Sequence, residues 1–310
     1  MNANAEPASG TPRVVTSRSQ LQEALAGASQ PSAVVMTMGG LHSGHGALME
    51  LGRALVGPQG HLTATIFVNP LQFGANEDLA KYPRTFDDDL ALCAANSVDL
   101  VFAPTPDVMY PNGDPEVTVD PGELGGQYEG VARPTHFSGV LTVVMKLLQL
   151  THPTYAIFGE KDYQQLTLIR QMVRDLDIPV EIVAGPTVRE ASGLARSTRN
   201  NYLSEAARDT ALRIPSAIAA GQSVSERGAD AVVNVARSIL EAPADVEVDV
   251  QYVVVTDPLM GPAPAAGEGR LIITVIVDGT RLLDNAQVFI GPSEPGAADA
   301  DPTSGVDTTE

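Results

Sequence analysis

Apolar runs alternate with amphipathic stretches along most of the chain. "SAVVMTM" (32–38) and "LTATIFVN" (62–69) read as buried strands. Between them Leu48, Leu51 and Leu55 fall on one helical face while Glu50 and Arg53 face water. The three pieces form a βαβ unit, expected to cross over right-handed. A further apolar run closes on "DLVFAP" (99–104). "GVLTVVMKLLQL" (139–150) predicts a mostly buried helix and "YAIFG" (155–159) a strand. "YQQLTLIRQMVRDL" (163–176) is amphipathic through Leu166, Ile169, Val173 and Leu176, and "VEIVAGPTV" (180–188) extends the sheet. This alternation predicts an α/β fold, a Rossmann-like parallel sheet with helices on both faces.

After about residue 190 the pattern changes. Alanine-rich helical stretches (205–221 and 228–241) precede "VDVQYVVVTD", "GRLIITVIVD" and "TRLLDNAQVFI", which alternate as antiparallel strands do. The predicted organisation is a disordered N-terminus at 1–12, a Rossmann-like domain at 13–189, and a smaller α+β C-terminal domain at 190–290. A disordered acidic tail at 291–310 follows, carrying five acids and no base.

Charge narrows the function classes. The formal net charge of −19 argues against a broad nucleic-acid footprint, which needs clustered Lys and Arg. It leaves room for a small anion at a local basic site. Cys93 stands alone, so no intramolecular disulfide forms and a reducing compartment is expected. No apolar run reaches the roughly 18 residues of a membrane span, and the N-terminal stretch lacks a secretory layout, so no membrane partner and a cytoplasmic location are expected.

Four polar motifs fall at strand ends, on the rim where ligands of such sheets bind. "MGGLHSGH" (38–45) sets His42 and His45 among Gly39, Gly40, Gly44 and Gly46 at a helix start. Either they are polar turn residues, or glycine backbone and imidazoles meet an anion. "FGEKDYQQL" (158–166) places Lys161, one of three lysines, where a helix dipole opposes a cation. Asp162 offsets this as a cap, or Lys161 and the helix start hold an anion together. "GLARSTRNNYL" (193–203) offers two hydroxyls and guanidinium groups, as a turn or as a mobile phosphate lid. "IFVNPLQFG" (66–74) presents Asn69 and Gln72, neutral amides suited to a hydroxy acid. Asp87, Asp88 and Asp89 open a helix, where acids usually complement the dipole. Arg133 and His136 in "ARPTHFSGV" are loop polar groups or anion contacts.

In this order "MGGLHSGH", "IFVNPLQFG", "EDLAKYPRTFDDDL", "RPTHFSGV", "FGEKDYQQL", "PTVRE" and "RSTRNNYLS" closely resemble the pantoate–β-alanine ligases of the HxGH nucleotidyltransferase superfamily, over about residues 14 to 290. The resemblance implies ATP-dependent condensation of pantoate with β-alanine to pantothenate, for vitamin B5 and coenzyme A biosynthesis. Pantoate attacks the α-phosphorus of ATP to give pantoyl adenylate and pyrophosphate; β-alanine then displaces AMP. It implies a nucleotide- and pantoate-binding first domain, a C-terminal lid domain and a homodimer.

By resemblance, Met38, Gly39, Gly40, Leu41, His42, Ser43, Gly44 and His45 lie along ATP, with His45 as proton donor and His42 and Lys161 also catalytic. Gly159, Glu160, Lys161, Asp162, Val188, Arg196, Ser197, Thr198 and Arg199 complete the ATP site. Gln72 and Gln165 hold pantoate, Gln72 and Asn69 meet β-alanine, and Asp88 and Asp89 match positions linked to Mg²⁺. Gly40, Ser43 and Gly46 stand where the family pattern usually has alanine, glutamate and leucine, which implies a more flexible loop. Arg196 stands where methionine or leucine is usual. Two other readings compete: an adenylyltransferase for a phosphorylated acceptor, which would want bases where Gln72 and Gln165 stand, and a catalytically silent nucleotide-binding regulator, which keeping His45 and Lys161 disfavours.

Overall fold

The computed structural model describes residues 10–74, 79 and 82–291. The two expected tails fall outside the described residues, apart from residues 10–12 and Gly291. The chain divides into two compact units, 1–204 and 205–310.

The first unit runs β1 (Arg13–Val15), α1 (Arg18–Leu25), β2 (Ser32–Thr37), α2 (Ser43–Val56), β3 (His61–Ile66), α3 (Phe86–Ala95), β4 (Leu100–Phe102) and α4 (Pro106–Met109). It continues through α5 (Glu129–Ala132), α6 (His136–Thr151), β5 (Tyr155–Gly159), α7 (Tyr163–Asp175) and β6 (Glu181–Gly185). The six strands are all parallel, in the order β1-β4-β3-β2-β5-β6.

Alternation along each strand divides the core. Ala33 and Val35 of β2, Val101 of β4 and Ile157 of β5 pack with Met49 and Val56 of α2 and Cys93 of α3. Their strand neighbours Val34, Leu100, Phe102, Ala156 and Phe158 face the other way, onto Leu21 of α1, Leu141, Val144 and Leu148 of α6, and Leu166 and Ile169 of α7. A period of two in the strands thus supplies both helical layers. Strand order also fixes where ligands bind. From β2 the chain winds to β3, from β5 it winds the opposite way to β6, and β2 and β5 are neighbours. The crevice beyond their carboxyl ends is a topological switch point. Residues 38–45 leave β2 there and residues 160–162 leave β5 there.

The expected elements are present with shifted ends. The β3 strand stops at Ile66, with Phe67 N–H still bonded to Thr37 O (3.0 Å) before the 3-10 turn Pro70–Gln72. The β6 strand is five residues rather than nine, and α6 begins three residues earlier than the apolar pattern, at His136. The three-residue β1 is too short to register as a periodic run.

The second unit comprises α8 (Glu205–Ala211), α9 (Arg213–Ser223), α10 (Ala229–Leu240), β7 (Val248–Thr256), β8 (Gly267–Val277) and β9 (Thr280–Ile290). Its strands form an antiparallel meander with β8 central. The single helix read over 205–221 is two: Pro215 has no N–H to give to Ala211, so the helix restarts and Pro215 falls in the first turn of α9, where proline is tolerated. The units divide at Ser204/Glu205, further along than the boundary drawn at 189/190. Residues 190–203 belong with the first unit because they bond to each other and back to it, through Arg196 N–H to Val188 O (2.9 Å) and the Thr198 hydroxyl to Gly40 O (3.4 Å).

Candidate active site

The turn leaving β2 is built around its own backbone groups. Gly39 (φ +86°) and Gly40 (φ +61°) both take the left-handed conformation that L side chains resist, which reverses the chain after Met38. Gly39 N–H donates to the Thr37 hydroxyl (3.3 Å). The N–H groups of Gly40 and Leu41 donate to the two carboxylate oxygens of Asp89, at 3.1 and 2.8 Å. The carbonyls are held as well, Gly39 O by the Tyr82 hydroxyl (3.3 Å) and Gly40 O by the Thr198 hydroxyl (3.4 Å). Glycines here shape the turn; their amides serve the protein instead of a ligand.

Next in the chain, His42 is the N-cap of α2 and His45 its third helical residue, and the two imidazoles cap reciprocally. His42 Nδ1 accepts from Gly44 N–H (3.1 Å), and His45 Nδ1 accepts from His42 N–H (3.2 Å). Gly44 is required between them, because a Cβ there would lie 2.8 Å from the His42 ring. The ring centroids are 4.2 Å apart. A backbone N–H can only donate, so both Nδ1 atoms are unprotonated acceptors, and each ring is an Nε2–H donor.

Burial first, and neighbouring charge second, keep the rings neutral. Burial, then the neighbouring His42, lower the pKa of His45 to about 3. For His42 burial lowers it, reinforced by the Lys161 and Arg196 cations. Lys161 lies in the 3-10 turn Glu160–Asp162 after Gly159, with its ammonium 3.6 Å from the Asp162 carboxylate. Burial raises the Asp162 pKa, but Lys161, Arg199 and His136 overcome that and hold its carboxyl below the ordinary carboxylate range. Lys161, Asp162, Arg196, Arg199, His42 and His45 therefore form one electrostatic cluster at the switch point. In the strap that carries the two arginines, the Ser197 hydroxyl accepts from Arg199 N–H (3.3 Å) and Thr198 reaches Gly40, so both hydroxyls are engaged within the protein. Val188 lies beside this strap, its carbonyl taken by Arg196 N–H.

The amides after β3 form a relay. Asn69, 1% exposed, donates through Nδ2 to Gly139 O (3.1 Å) and to Gln72 Oε1 (3.2 Å). Its Oδ1 accepts from Leu71 N–H (3.3 Å) and from the Tyr110 hydroxyl (2.8 Å). The two backbone partners fix which end of the Asn69 amide is oxygen, and Asn69 in turn orients Gln72 with Nε2 toward Met38 Sδ (2.8 Å). Thioether sulfur is a weak acceptor, so these N–H donors are available to a better one. The Gln72 carbonyl is held too, by His136 Nδ1 (2.9 Å) and Arg133 Nη2 (3.3 Å). Arg133 Nη1 lies 3.1 Å from His136 Nε2; a guanidinium only donates, so His136 is the Nδ1–H tautomer.

Gln165 is partly exposed in the first turn of α7, whereas its neighbour Gln164 is buried and braces the 124–129 segment through Leu124 O and Gln127 O. Ser43 and Asp88 are exposed. Asp89 is 2% exposed, with the Thr85 hydroxyl also donating to it at 3.1 Å. Among the described residues, no three His, Cys, Asp or Glu side chains group so as to hold a metal. The residues that sequence reasoning missed are Thr37, Tyr82, Thr85 and Tyr110, each acting through another side chain or the backbone. Cys93 is buried, and burial pushes its thiol up to about 12, so it is packing.

The family model for pantoate-beta-alanine ligase matches residues 13–287. A pantothenate synthetase of Nocardia farcinica is 50% identical over 289 residues, covering 90% of this chain and 89% of that protein. The crystal structure of pantothenate synthetase from Thermus thermophilus superposes with a TM-score of 0.81 at 40% identity, covering 88% of this chain and 98% of the other. The crystal structure of a Francisella tularensis pantoate-beta-alanine ligase, complexed with β-γ ATP and β-alanine, gives 0.73 at 31% identity, covering 89% and 97%.

Neutral His45 has a measurable consequence for stability. Its folded pKa, about 3, lies below the ordinary value of 6.5, so the unfolded chain takes up a proton in this window and the folded chain does not. The contribution present above pH 6.5 is lost as pH falls toward 3, with a slope approaching ~1.4 kcal/mol per pH unit. His45→Gln keeps an acceptor for His42 N–H and removes the titration. Urea unfolding from about pH 6.5 to about pH 4 is expected to show wild type losing stability more steeply than His45→Gln; parallel curves would refute the neutral assignment.

Proposed function

The chain belongs to the pantoate–β-alanine ligase family, and from that membership we infer which of its residues join pantoate to β-alanine with ATP to give pantothenate. In the first step a pantoate carboxylate oxygen attacks the α-phosphorus of ATP, and the bond to the bridging oxygen breaks to release pyrophosphate. In the second, the neutral β-alanine amine attacks the carbonyl carbon of pantoyl adenylate, AMP departs with the C–O electron pair, and the nitrogen gives up one proton to solvent. Both steps move negative charge without covalent participation by the protein, so positioned donors supply the catalysis.

The observation that carries this reading is the pair of imidazoles fixed as Nε2–H donors beside Lys161 at the β2/β5 switch point. These donors face the ATP phosphates, with Lys161, Arg196 and Arg199 supplying cationic charge and Met38–His45, Gly159–Asp162 and Val188 lining the nucleotide. A triphosphate against Nε2–H raises the pKa of both rings. His45 gains proton-donor capacity only with nucleotide bound.

Gln72, held with its amide donors toward Met38 Sδ, and partly exposed Gln165 take pantoate, and Gln72 also meets β-alanine. Asn69 is too buried to touch β-alanine and acts through Gln72.

Mg²⁺ accompanies ATP in this proposal, held by phosphate oxygens and water. The Asp88–Asp89 pair does not fit a protein cage for it, since Asp88 is exposed and both Asp89 oxygens are engaged. The homodimer and cytoplasmic location belong to the same reading.

Protein given ATP, Mg²⁺ and pantoate is expected to release pyrophosphate, with AMP and pantothenate appearing only when β-alanine is added. Folded protein without pantoate-dependent pyrophosphate exchange would sink the reading. His45→Ala and Lys161→Ala should each slow adenylate formation in single turnover at least tenfold, or ~1.4 kcal/mol. Arg196→Met should leave the rate within about threefold, because its guanidinium is exposed and Arg199 and Lys161 stay in place. Tyr110→Phe removes one partner of Asn69 and should raise the pantoate KM by about fivefold, roughly one hydrogen bond, with the ATP KM unchanged.

A further inference from the structure

We propose that Asp89 is a positioning residue for the nucleotide turn and not a ligand of magnesium. Its carboxylate is buried, and both of its oxygens accept hydrogen bonds from neighbours. Oδ1 accepts from Leu41 N–H (2.8 Å) and from the Thr85 hydroxyl (3.1 Å), and Oδ2 accepts from Gly40 N–H (3.1 Å). Both lone pairs of Oδ1 are used. Oδ2 also lies close against Gly39, where a Cβ would come within 3.0 Å of it. Consecutive residues of a helix do not face each other, so exposed Asp88 cannot share an ion with Asp89.

The chemistry of the clamp suits its position. A carboxylate bridging two successive amides makes charge-assisted bonds and fixes two peptide planes at once. Those planes lead directly into His42, whose ring must face the phosphates at Nε2. Asp89 therefore acts on nucleotide through residues 40–42, with no contact of its own. Asn at this position keeps the shape but turns an NH₂ group toward a backbone N–H, so one of the two amides loses its acceptor.

The inference rests on the ligase reading only in the identity of the nucleotide. The discriminating measurement is binding of AMP in EDTA by isothermal titration, on the full chain, for wild type, Asp89→Asn, Asp88→Asn and Thr85→Val. A positioning role predicts metal-free AMP binding weakened about tenfold in Asp89→Asn and about two- to threefold in Thr85→Val, with Asp88→Asn within about twofold of wild type. It also predicts that the Mg²⁺ concentration giving half-maximal pyrophosphate release, and the pantoate KM, stay within about twofold in Asp89→Asn while kcat falls. Unchanged metal-free AMP binding in Asp89→Asn, with a raised Mg²⁺ requirement, would make Asp89 a metal ligand and overturn the proposal. If circular dichroism finds Asp89→Asn unfolded, Thr85→Val decides, and wild-type AMP affinity in that variant refutes the clamp. Wild-type protein that binds AMP but makes no pantothenate would defeat the ligase reading and leave the clamp standing.

Discussion

The site depends on one constraint: a turn of glycines and histidines must satisfy its backbone while half-buried at the end of a parallel strand. Unpaired amides there would each cost a large part of a hydrogen bond's desolvation. Seven N–H groups between Gly39 and Gly46 are paired inside the protein, to Thr37, Asp89, His45 and His42. Two of those acceptors are imidazole Nδ1 atoms. Backbone satisfaction and catalytic tautomer are therefore the same fact, because a ring that caps through Nδ1 presents Nε2–H outward. A helix start often offers its amides to an anion; here those amides are taken up inside the protein, and the side chains are what is left to face outward.

A second network repeats this logic after β3. Gly139 O and Leu71 N–H fix the Asn69 amide, Asn69 fixes Gln72, and Arg133 with His136 holds the Gln72 carbonyl. Burial pushes the Tyr110 phenol up, so its hydroxyl keeps the proton it donates to Asn69. Preorganised donors of this kind do not reorient when charge develops, which is where electrostatic catalysis gains over water.

Much of this was legible in the sequence. Strand and helix alternation identified the parallel sheet, and strand ends identified the rim, because burial imposes periods that the chain must carry. His42, His45, Lys161, Arg196 and Gln72 stood out as candidates because their types are rare or chemically pointed. Partner choice was not readable. Asp87, Asp88 and Asp89 are identical in type, and only the helical period, which sets Asp89 four residues before buried Cys93, hints that the third turns inward. Tyr82 and Tyr110 act across the fold on residues 39 and 69, and no local pattern encodes such pairings. Asn69 is harder to read, because an amide after a strand has the same appearance whether it meets substrate or holds the residue that does.

The glycines of the turn sharpen the difference between a flexible sequence and a flexible site. Gly40 and Gly46 raise the entropy lost on folding by about 0.5–1 kcal/mol each relative to alanine. Gly40 repays part of that by adopting φ +61°, which alanine would resist, with Pro83 and Thr198 each only 3.3 Å from where a Cβ would lie. Its N–H and C=O are then tied to Asp89 and Thr198, and those of Gly39 to Thr37 and Tyr82. Charge-assisted bonds to a buried carboxylate are worth roughly 1.5–3 kcal/mol apiece, more than the glycine entropy they oppose. Holding His42 and His45 still is thus a property of the partners from outside the motif. Loss of Asp89 would loosen the turn more than any glycine in it does.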